Sequence, residues 1–398
     1  MTRKRFTQLF ALLMAAVTTT AFAFPPPDGK GGGNGGGNEE PPPPEPELPA
    51  IEYQGVTISL PPHPTPYYFL NDFNDSGQAC GRNSDFGWIY SPVFANHAVD
   101  MAVDANTLDI EGLDAGWVIR NCIGISNNGL VVGRASPVDD ASIAASRGYV
   151  LDISVTPSLI YELPENGYGW EGSYARKVND NGDILGMFTR TDGSRGIYFY
   201  NLGLRSGPPE FELEIPDLPP VGFAMMNNPP EGVPATVGVP VTTPEGAATN
   251  EVLFFTRGDA AAYYPPPEVS REPVVNGFGG IAGRGAIEIP INKKKSEAIE
   301  VIYRDYGDEQ YIQGYYGIVS GLNNAGTIII RAGDAVTLYH DDYGFVDVAS
   351  ITAAGQLPTT SPSFAHLNNV GMDGFGQIAV SDSSLPEFHI LTAVEVAP

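Results

Sequence analysis

The sequence predicts an all-β fold of seven similar four-stranded antiparallel sheets, and three observations carry that expectation. A turn motif recurs seven times at a steady spacing. Each copy is followed by further strand-like runs in a fixed order. A strand-like stretch at the front of the repeat region matches the one strand that the last repeat lacks.

The motif is clearest at Phe73-Asn74-Asp75-Ser76-Gly77-Gln78-Ala79-Cys80-Gly81. It places an apolar residue before Asn or another small polar residue, then two variable positions, Gly, and a short apolar run often closed by Gly. Copies read Ile125-Ser126-Asn127-Asn128-Gly129, Val178-Asn179-Asp180-Asn181-Gly182, Val275-Asn276-Gly277-Phe278-Gly279, Leu322-Asn323-Asn324-Ala325-Gly326 and Met372-Asp373-Gly374-Phe375-Gly376. A degenerate copy, Met226-Asn227-Asn228, reaches its glycine at Gly232 after an insertion. An Asn side chain bonds back to the backbone, and Gly supplies the left-handed residue that ends a type I turn with a bulge. Tight hairpins are therefore expected, with Asn74, Gly77, Gly129, Asn179, Gly182, Asn276, Gly279, Asn323, Gly326 and Gly376 as structural turn residues. The motif glycines are spaced by 52, 53, 50, 47, 47 and 50 residues.

The other strands follow in order. A third-strand run appears at Gly87–Tyr90, Gly148–Leu151, Gly196–Tyr200, Val252–Phe255, Ile299–Tyr303 and Val336–Tyr339. A more polar last strand ends in a Leu-Pro step at Leu163, Leu218 and Leu357, which suits an outer edge where no backbone donor is required. Val56-Thr57-Ile58-Ser59-Leu60-Pro61 resembles those outer strands, while the C-terminus stops after the third strand of its repeat, Phe388-His389-Ile390-Leu391. The expected architecture is a seven-bladed β-propeller whose last blade is closed by the N-terminal strand. A period near fifty with several strands per period fits propeller blades better than a helical solenoid.

The Asn-x-x-Gly-x-Val-Val-Gly pattern resembles the probable extracellular repeat of the HAF family of bacterial secreted proteins, over residues 51–398. The resemblance implies a secreted, repeat-built β fold and brings no catalytic residues with it. The His-Ala-Phe triplet that names the family is absent, and the corresponding strands begin Arg147-Gly148-Tyr149 and Arg195-Gly196-Ile197.

Residues 1–23 read as a cleaved secretory signal, with Arg3, Lys4 and Arg5 before an apolar stretch and Ala21-Phe22-Ala23 as a small-x-small site. Residues 24–50 form a Pro/Gly/Glu-rich linker that cannot bury a core. No second long apolar run follows, so the expected mature protein has no membrane span and is periplasmic or extracellular. The aromatic residues, Trp88, Trp117 and Trp170 among them, are expected between sheets.

The formal charge of −26 falls to −29 without the leader. Such a potential argues against nucleic acid and anionic membranes and favours a soluble monomer whose partner is a protein or a glycan. Two cysteines, Cys80 and Cys122, fall on consecutive repeats, where a disulfide and a pair of free thiols are equally expected. Five scattered histidines and two cysteines give no Cys/His zinc pattern, so no metal or cofactor is expected. Asp72-x-Asn74-x-Ser76-Gly77 and Asn179-Asp180-Asn181-Gly182-Asp183 faintly resemble calcium loops but lack the later acidic ligand, and hairpin chemistry already accounts for them. A weak Ca²⁺ site on so acidic a surface stays open.

No Gly-x-Ser-x-Gly elbow and no paired acidic spacing mark a hydrolase. The most informative feature is the residue five after the motif glycine: Arg82, Arg134, Arg284 and Arg331, four of the 13 Arg beyond the leader. Ringed on one face, they would accept anionic groups through fork-like contacts. The competing reading pairs each with a nearby acid such as Asp85, Asp139, Asp140 or Asp334. The sequence thus favours a binding or interaction module over an enzyme. The alternative is a hydrolase or lyase acting on an extracellular polysaccharide, with unlike residues from several blades meeting in the centre. His366, on the approach to an inner strand, is the histidine to inspect for that role.

Overall fold

The computed structural model describes residues 50–396 apart from 66, 93–99, 164–169, 203–210, 217–224, 230–234, 243–247, 257–261, 265–273, 277–279, 293–294, 306–308, 314–316, 355, 358–361 and 373. The expected leader, nearly all of the linker, and the turn glycines Gly232 and Gly279 lie outside the described residues.

The described residues form seven sheets and no α-helix. Sheet 1 runs Phe69–Phe73, Ala79–Arg82, Gly87–Tyr90 and Val103–Asp104. Sheet 2 runs Trp117–Ile125, Leu130–Pro137, Arg147–Asp152 and Ser158–Leu163. Sheet 3 runs Trp170–Val178, Asp183–Arg190, Arg195–Asn201 and Phe211–Pro216. Sheet 4 comprises Met225–Met226, Thr236–Thr242, Ala248–Thr256 and Ala262–Tyr264, and sheet 5 Val274–Val275, Ile281–Asn292, Lys295–Asp305 and Glu309–Gln313. Sheet 6 comprises Ile318–Leu322, Ile328–Ala332, Ala335–His340 and Gly344–Asp347. Sheet 7 takes Phe364–Met372, Phe375–Ser381 and Glu387–Glu395 from the C-terminus and Ile51–Ser59 from the front of the chain. That last pairing is antiparallel and unbroken, with Gln54 opposite Thr392, Val56 opposite Ile390 and Ile58 opposite Phe388.

Sheet 2 departs from the four-strand expectation. Ile110–Glu111 adds a fifth strand, parallel to Ser158–Leu163. Sheet 6 departs as well: its outer strand is Gly344–Asp347, and Leu357 lies beyond the following 3-10 turn at Val348–Ile351 rather than ending a strand.

The second strands are apolar on both faces because each lies between two neighbouring sheets. Val131 packs in a cluster with Cys80 and Ile89 of sheet 1, whereas Val132 packs with Val178 and Ile184 of sheet 3. Ile328 and Ile330 join Ala282 and Ile302 of sheet 5, and Ile329 joins Ile378 and Leu391 of sheet 7. Sheets 7 and 1 share Ile58, Phe388, Leu70 and Trp88, with the Trp88 and Phe388 rings stacked at 5.5 Å. Each such aliphatic side chain removed from water contributes about 1.5–3 kcal/mol. Trp88 is fully buried, while Trp117 and Trp170 are half-buried, the latter stacked on Phe188 at 4.2 Å.

The glycine that closes the apolar run has a packing reason. Gly81, Gly133, Gly186, Gly238 and Gly283 stand opposite Trp88, Tyr149, Tyr198, Phe254 and Tyr303 on the third strand. A Cβ on Gly186 would meet the Tyr198 ring at 1.9 Å, and one on Gly81 would meet Trp88 at 2.3 Å. At Gly81 and Gly186 the aromatic ring occupies the space that a side chain on the second strand would need.

Candidate functional site

The hairpin turns join the sheets as well as folding them. Asn74 Oδ1 accepts from the N–H of Ser76 (3.0 Å) and of Gln78 (2.8 Å), and Gly77 takes a φ of 72° where a side chain would be strained. Asn179, Asn276 and Asn323 accept in the same way from the residue four ahead. Their amide nitrogens reach the neighbouring repeat: Asn74 donates to Ser126 O, Asn179 to Asn227 O, Asn276 to Asn323 O and Asn368 to Asn74 O. A second row sits one residue on. There the N–H of Asp75 donates to Asn127 Oδ1, that of Asn127 to Asp180 Oδ1 and that of Asp180 to Asn228 Oδ1. The N–H of Asn324 donates to Asn369 Oδ1 and that of Asn369 to Asp75 Oδ1, all at 2.6–2.8 Å.

This belt corrects the reading of the last repeat. Its belt residues are Asn368 and Asn369 rather than motif positions 373 and 374, and the first strand carries a register shift between Leu367 and Gly371. Gly374, at φ 85°, takes the left-handed position expected of Gly376. Gly376 instead lies against Asn368 O, where a Cβ would come within 1.9 Å.

Inside the belt is a cavity of about 210 Å³, lined by the first strand of all seven sheets: Asp72 and Phe73, Ile125, Lys177 and Val178, Met226, Val274, Ser320 to Leu322, and His366 to Asn369. Two residues before each belt position the chain carries Asp72, Gly124, Lys177, Met225, Val274, Gly321 and His366, and of these Asp72, Lys177, Val274, Gly321 and His366 line the cavity. Strand register places Asp72, Gly124, Lys177, Gly321 and His366 at one level, opposite Cys80, Val132, Leu185, Ile329 and Ala379. Just outside this level the first strands of sheets 1, 2, 3 and 6 each carry a register shift, the kind of bulge that re-aims side chains.

Three ionisable side chains meet in this layer. Lys177 Nζ lies 3.1 Å from Asp72 Oδ1, reaching past Gly124 of the intervening sheet, whose missing side chain leaves room beside Lys177 Cα. Asp72 Oδ2 also accepts from the Ile125 N–H at 3.1 Å. The pair keeps 28 % and 17 % of its side-chain surface, so it is neither fully dry nor freely solvated. His366 Nε2 sits 3.3 Å from Leu70 O. Burial lowers its pKa from the usual histidine value, against the pull of Asp72, so the ring is neutral at pH 7. In that state Nε2–H donates to Leu70 O and Nδ1 is the acceptor. Ser320 Oγ, in the same lining, has no partner among the described residues.

The four arginines do not share one set of partners. Arg82 lies over the Phe69 ring at 4.3 Å. Arg331 donates to the carbonyls of Pro362 and Ser363, tying sheet 6 to sheet 7. Burial lowers the Arg134 pKa, with Arg82 and Arg120 adding repulsion. Arg284 is half-buried on the second strand of sheet 5. Of the acids weighed as partners, Asp85 pairs with His63 at 2.7 Å. Cys80 and Cys122 are free thiols, buried in one apolar cluster rather than bonded, and the Tyr149 hydroxyl donates to Cys122 Sγ at 3.1 Å. Among the described residues no three His, Cys, Asp or Glu side chains gather as a metal site, and no helix is long and apolar enough to cross a membrane.

Sequence reasoning reached His366 but treated Asp72 only as part of a turn and passed over Lys177. A signal existed in part. Lys177 is the only lysine in 51–398 outside the run Lys293 to Lys295, and repeats 1 and 3 stacked on their turn motifs put Asp72 and Lys177 in one column. His366 joins that column only through Asn368, which bonds to Asn74 O.

No family model matches the chain, and no curated protein matches it. Solved structures do. The β-propeller domain of the Trilobed protease from Pyrococcus furiosus is 10 % identical, at TM-score 0.40, over 65 % of this chain and 76 % of that one. A chain of the mitotic checkpoint complex is 9 % identical, at TM-score 0.44, over 85 % and 93 %. A Hadza microbial sialidase is 10 % identical, at TM-score 0.43, over 83 % and 66 %. Likenesses this distant carry no inference about ligand or reaction.

Proposed function

We propose that this chain is a secreted binding module: a seven-bladed β-propeller, closed by Ile51–Ser59, that takes its ligand in the cavity inside the Asn/Asp belt. One observation carries the reading. Seven first strands line a single cavity, and against a background of small and apolar residues one layer of it holds Asp72, Lys177 and His366. A half-solvated ion pair contributes little stability, and apolar residues of similar size would serve as well. Structural need therefore does not account for these three side chains. At about 210 Å³ the cavity is smaller than sites for drug-sized molecules, which fits a small ligand or one end of a long one. The leader-like residues 1–23 support secretion.

The test is an array of glycans and peptides read with the mature chain and with Lys177→Met, each with calcium and with chelator. Ligands lost on Lys177→Met support the reading, and ligands retained by that variant overturn the cavity as their site.

A second reading rests on the same three residues. Unlike groups from sheets 1, 3 and 7, including a neutral imidazole with an acceptor nitrogen, are what a polysaccharide hydrolase or lyase would assemble. Product release from extracellular polysaccharides by the mature chain, abolished in His366→Gln, would establish that reading in place of simple binding.

A further inference from the structure

We infer that the layer holding Asp72, Lys177 and His366, with Ser320 in the adjoining lining, recognises an uncharged, hydroxyl-rich group, namely a neutral sugar, either free or at the end of a glycan. This rests on the cavity being the ligand site and names the class it takes.

Charge balance carries the argument first. The ammonium of Lys177 and the carboxylate of Asp72 cancel at 3.1 Å, and His366 is neutral. The layer is thus electrically closed. An anion would leave it with net negative charge inside a chain of formal charge −26, and a cation would meet Lys177 without a free countercharge. An uncharged polar group carries neither penalty.

Hydrogen-bond capacity comes second. Lys177 has three N–H donors, and among the described residues Asp72 is its ion-pair partner. With Nε2–H of His366 committed to Leu70 O, Nδ1 remains an acceptor. Ser320 Oγ has no partner among the described residues and can both donate and accept. Donor, acceptor and dual-role groups from sheets 3, 7 and 6 in one lining match hydroxyls, each of which donates once and accepts twice. Phe73, Leu322 and Leu367 supply apolar lining beside them, as the C–H faces of a sugar ring require. Size is the third constraint: the cavity of about 210 Å³ lies below the roughly 300–1,000 Å³ of sites for drug-sized ligands. That room suits one sugar ring rather than an oligosaccharide.

The experiment is titration calorimetry of the mature chain against glucose, galactose, mannose and N-acetylglucosamine, with glucuronic acid and glucosamine as charged counterparts. Oligosaccharides ending in the best sugar form a second arm. At least one neutral sugar should bind, and its charged counterparts should bind about tenfold more weakly. Lys177→Met and His366→Gln should each lose about tenfold or more, the scale of one charge-assisted hydrogen bond. Urea midpoints at pH 7.5 establish that both variants are folded. Tighter binding of the oligosaccharides than of the free sugar identifies a glycan end as the source, and equal binding identifies the free sugar. Failure of every neutral sugar overturns the inference, as does charged ligands binding equally well or neutral binding unchanged in both variants. If an array ligand of another class is lost on Lys177→Met, the cavity stands as the site and only the sugar assignment falls.

Discussion

Replacing Asn74 tests whether the belt joins sheets or merely shapes turns. Its side chain makes four hydrogen bonds: two from turn N–H groups, one to Gln78 Oε1 at 2.8 Å and one to Ser126 O at 2.7 Å in the next sheet. At about 1 kcal/mol net each, the upper figure for Asn74→Ala is about 4 kcal/mol. The Ser76 N–H is at the surface and takes up water, and Gln78 can rotate to another partner. The Gln78 N–H and Ser126 O stay stranded, so the expected loss is about 2–3 kcal/mol. Repeat 2 provides the control, because Ser126 stands where the others have Asn. Its hydroxyl accepts from Leu130 N–H at 3.2 Å. Asn74→Ser should therefore keep one turn bond and lose about 1 kcal/mol less than Asn74→Ala. Ser126→Asn, able to reach Asn179 O, should gain about 1 kcal/mol. Equilibrium urea unfolding reads all three. A loss for Asn74→Ala within about 0.5 kcal/mol, the range of an ordinary surface change, would refute the joining role. Asn74→Ser as stable as the parent chain would do the same, because serine keeps a turn bond but lacks the amide that reaches Ser126 O.

Three other outcomes follow from the packing and the buried groups. Gly133→Ala places a Cβ 1.9 Å from Asn121 O and 2.9 Å from the Tyr149 hydroxyl, and should cost about 3 kcal/mol in the same assay. His366 and His389 both have pKa values lowered by burial, so the unfolded chain takes up protons first. Stability should be fully present above the unfolded value near 6.5 and fall as pH drops through the lowered folded values, a slope that His366→Gln and His389→Gln together remove. Burial raises the Cys80 pKa and pushes Cys122 up to about 12, so a thiol reagent should label neither in the native chain and both in guanidinium. Labelling of neither thiol in guanidinium would indicate a disulfide.

Much of the sheet architecture was legible because the turn chemistry is local. Asn74 and Gly77 fold their hairpin with atoms from five consecutive residues, and the third-strand runs such as Gly87–Tyr90 are apolar on both faces. The last repeat misled for the same reason: Met372 to Gly376 satisfies the local pattern, while the belt role of Asn368 depends on its bond to Asn74 O, 294 residues away. The fifth strand of sheet 2, Ile110–Glu111, has no periodic signal at two residues. The cavity layer was illegible within any single repeat, since Asp72, Lys177 and His366 come from repeats 1, 3 and 7 and meet only in the lining of one cavity. Arg331 looked like one member of a ring, but its partners, the carbonyls of Pro362 and Ser363, leave no trace in side-chain pattern.

The measurement closest to the central claim joins the two ends of the repeat region. Gln54 and Thr392 are register partners on the strands that complete sheet 7, at a separation that antiparallel neighbours share with disulfides, about 4.5–5.5 Å between Cα atoms. With Gln54→Cys and Thr392→Cys in a chain whose buried cysteines are replaced by Ala, mild oxidation should give a monomer with one intramolecular disulfide and a higher urea midpoint. Free thiols, or only intermolecular dimers, would mean that the front strand does not complete the last sheet and that the ring of seven is open.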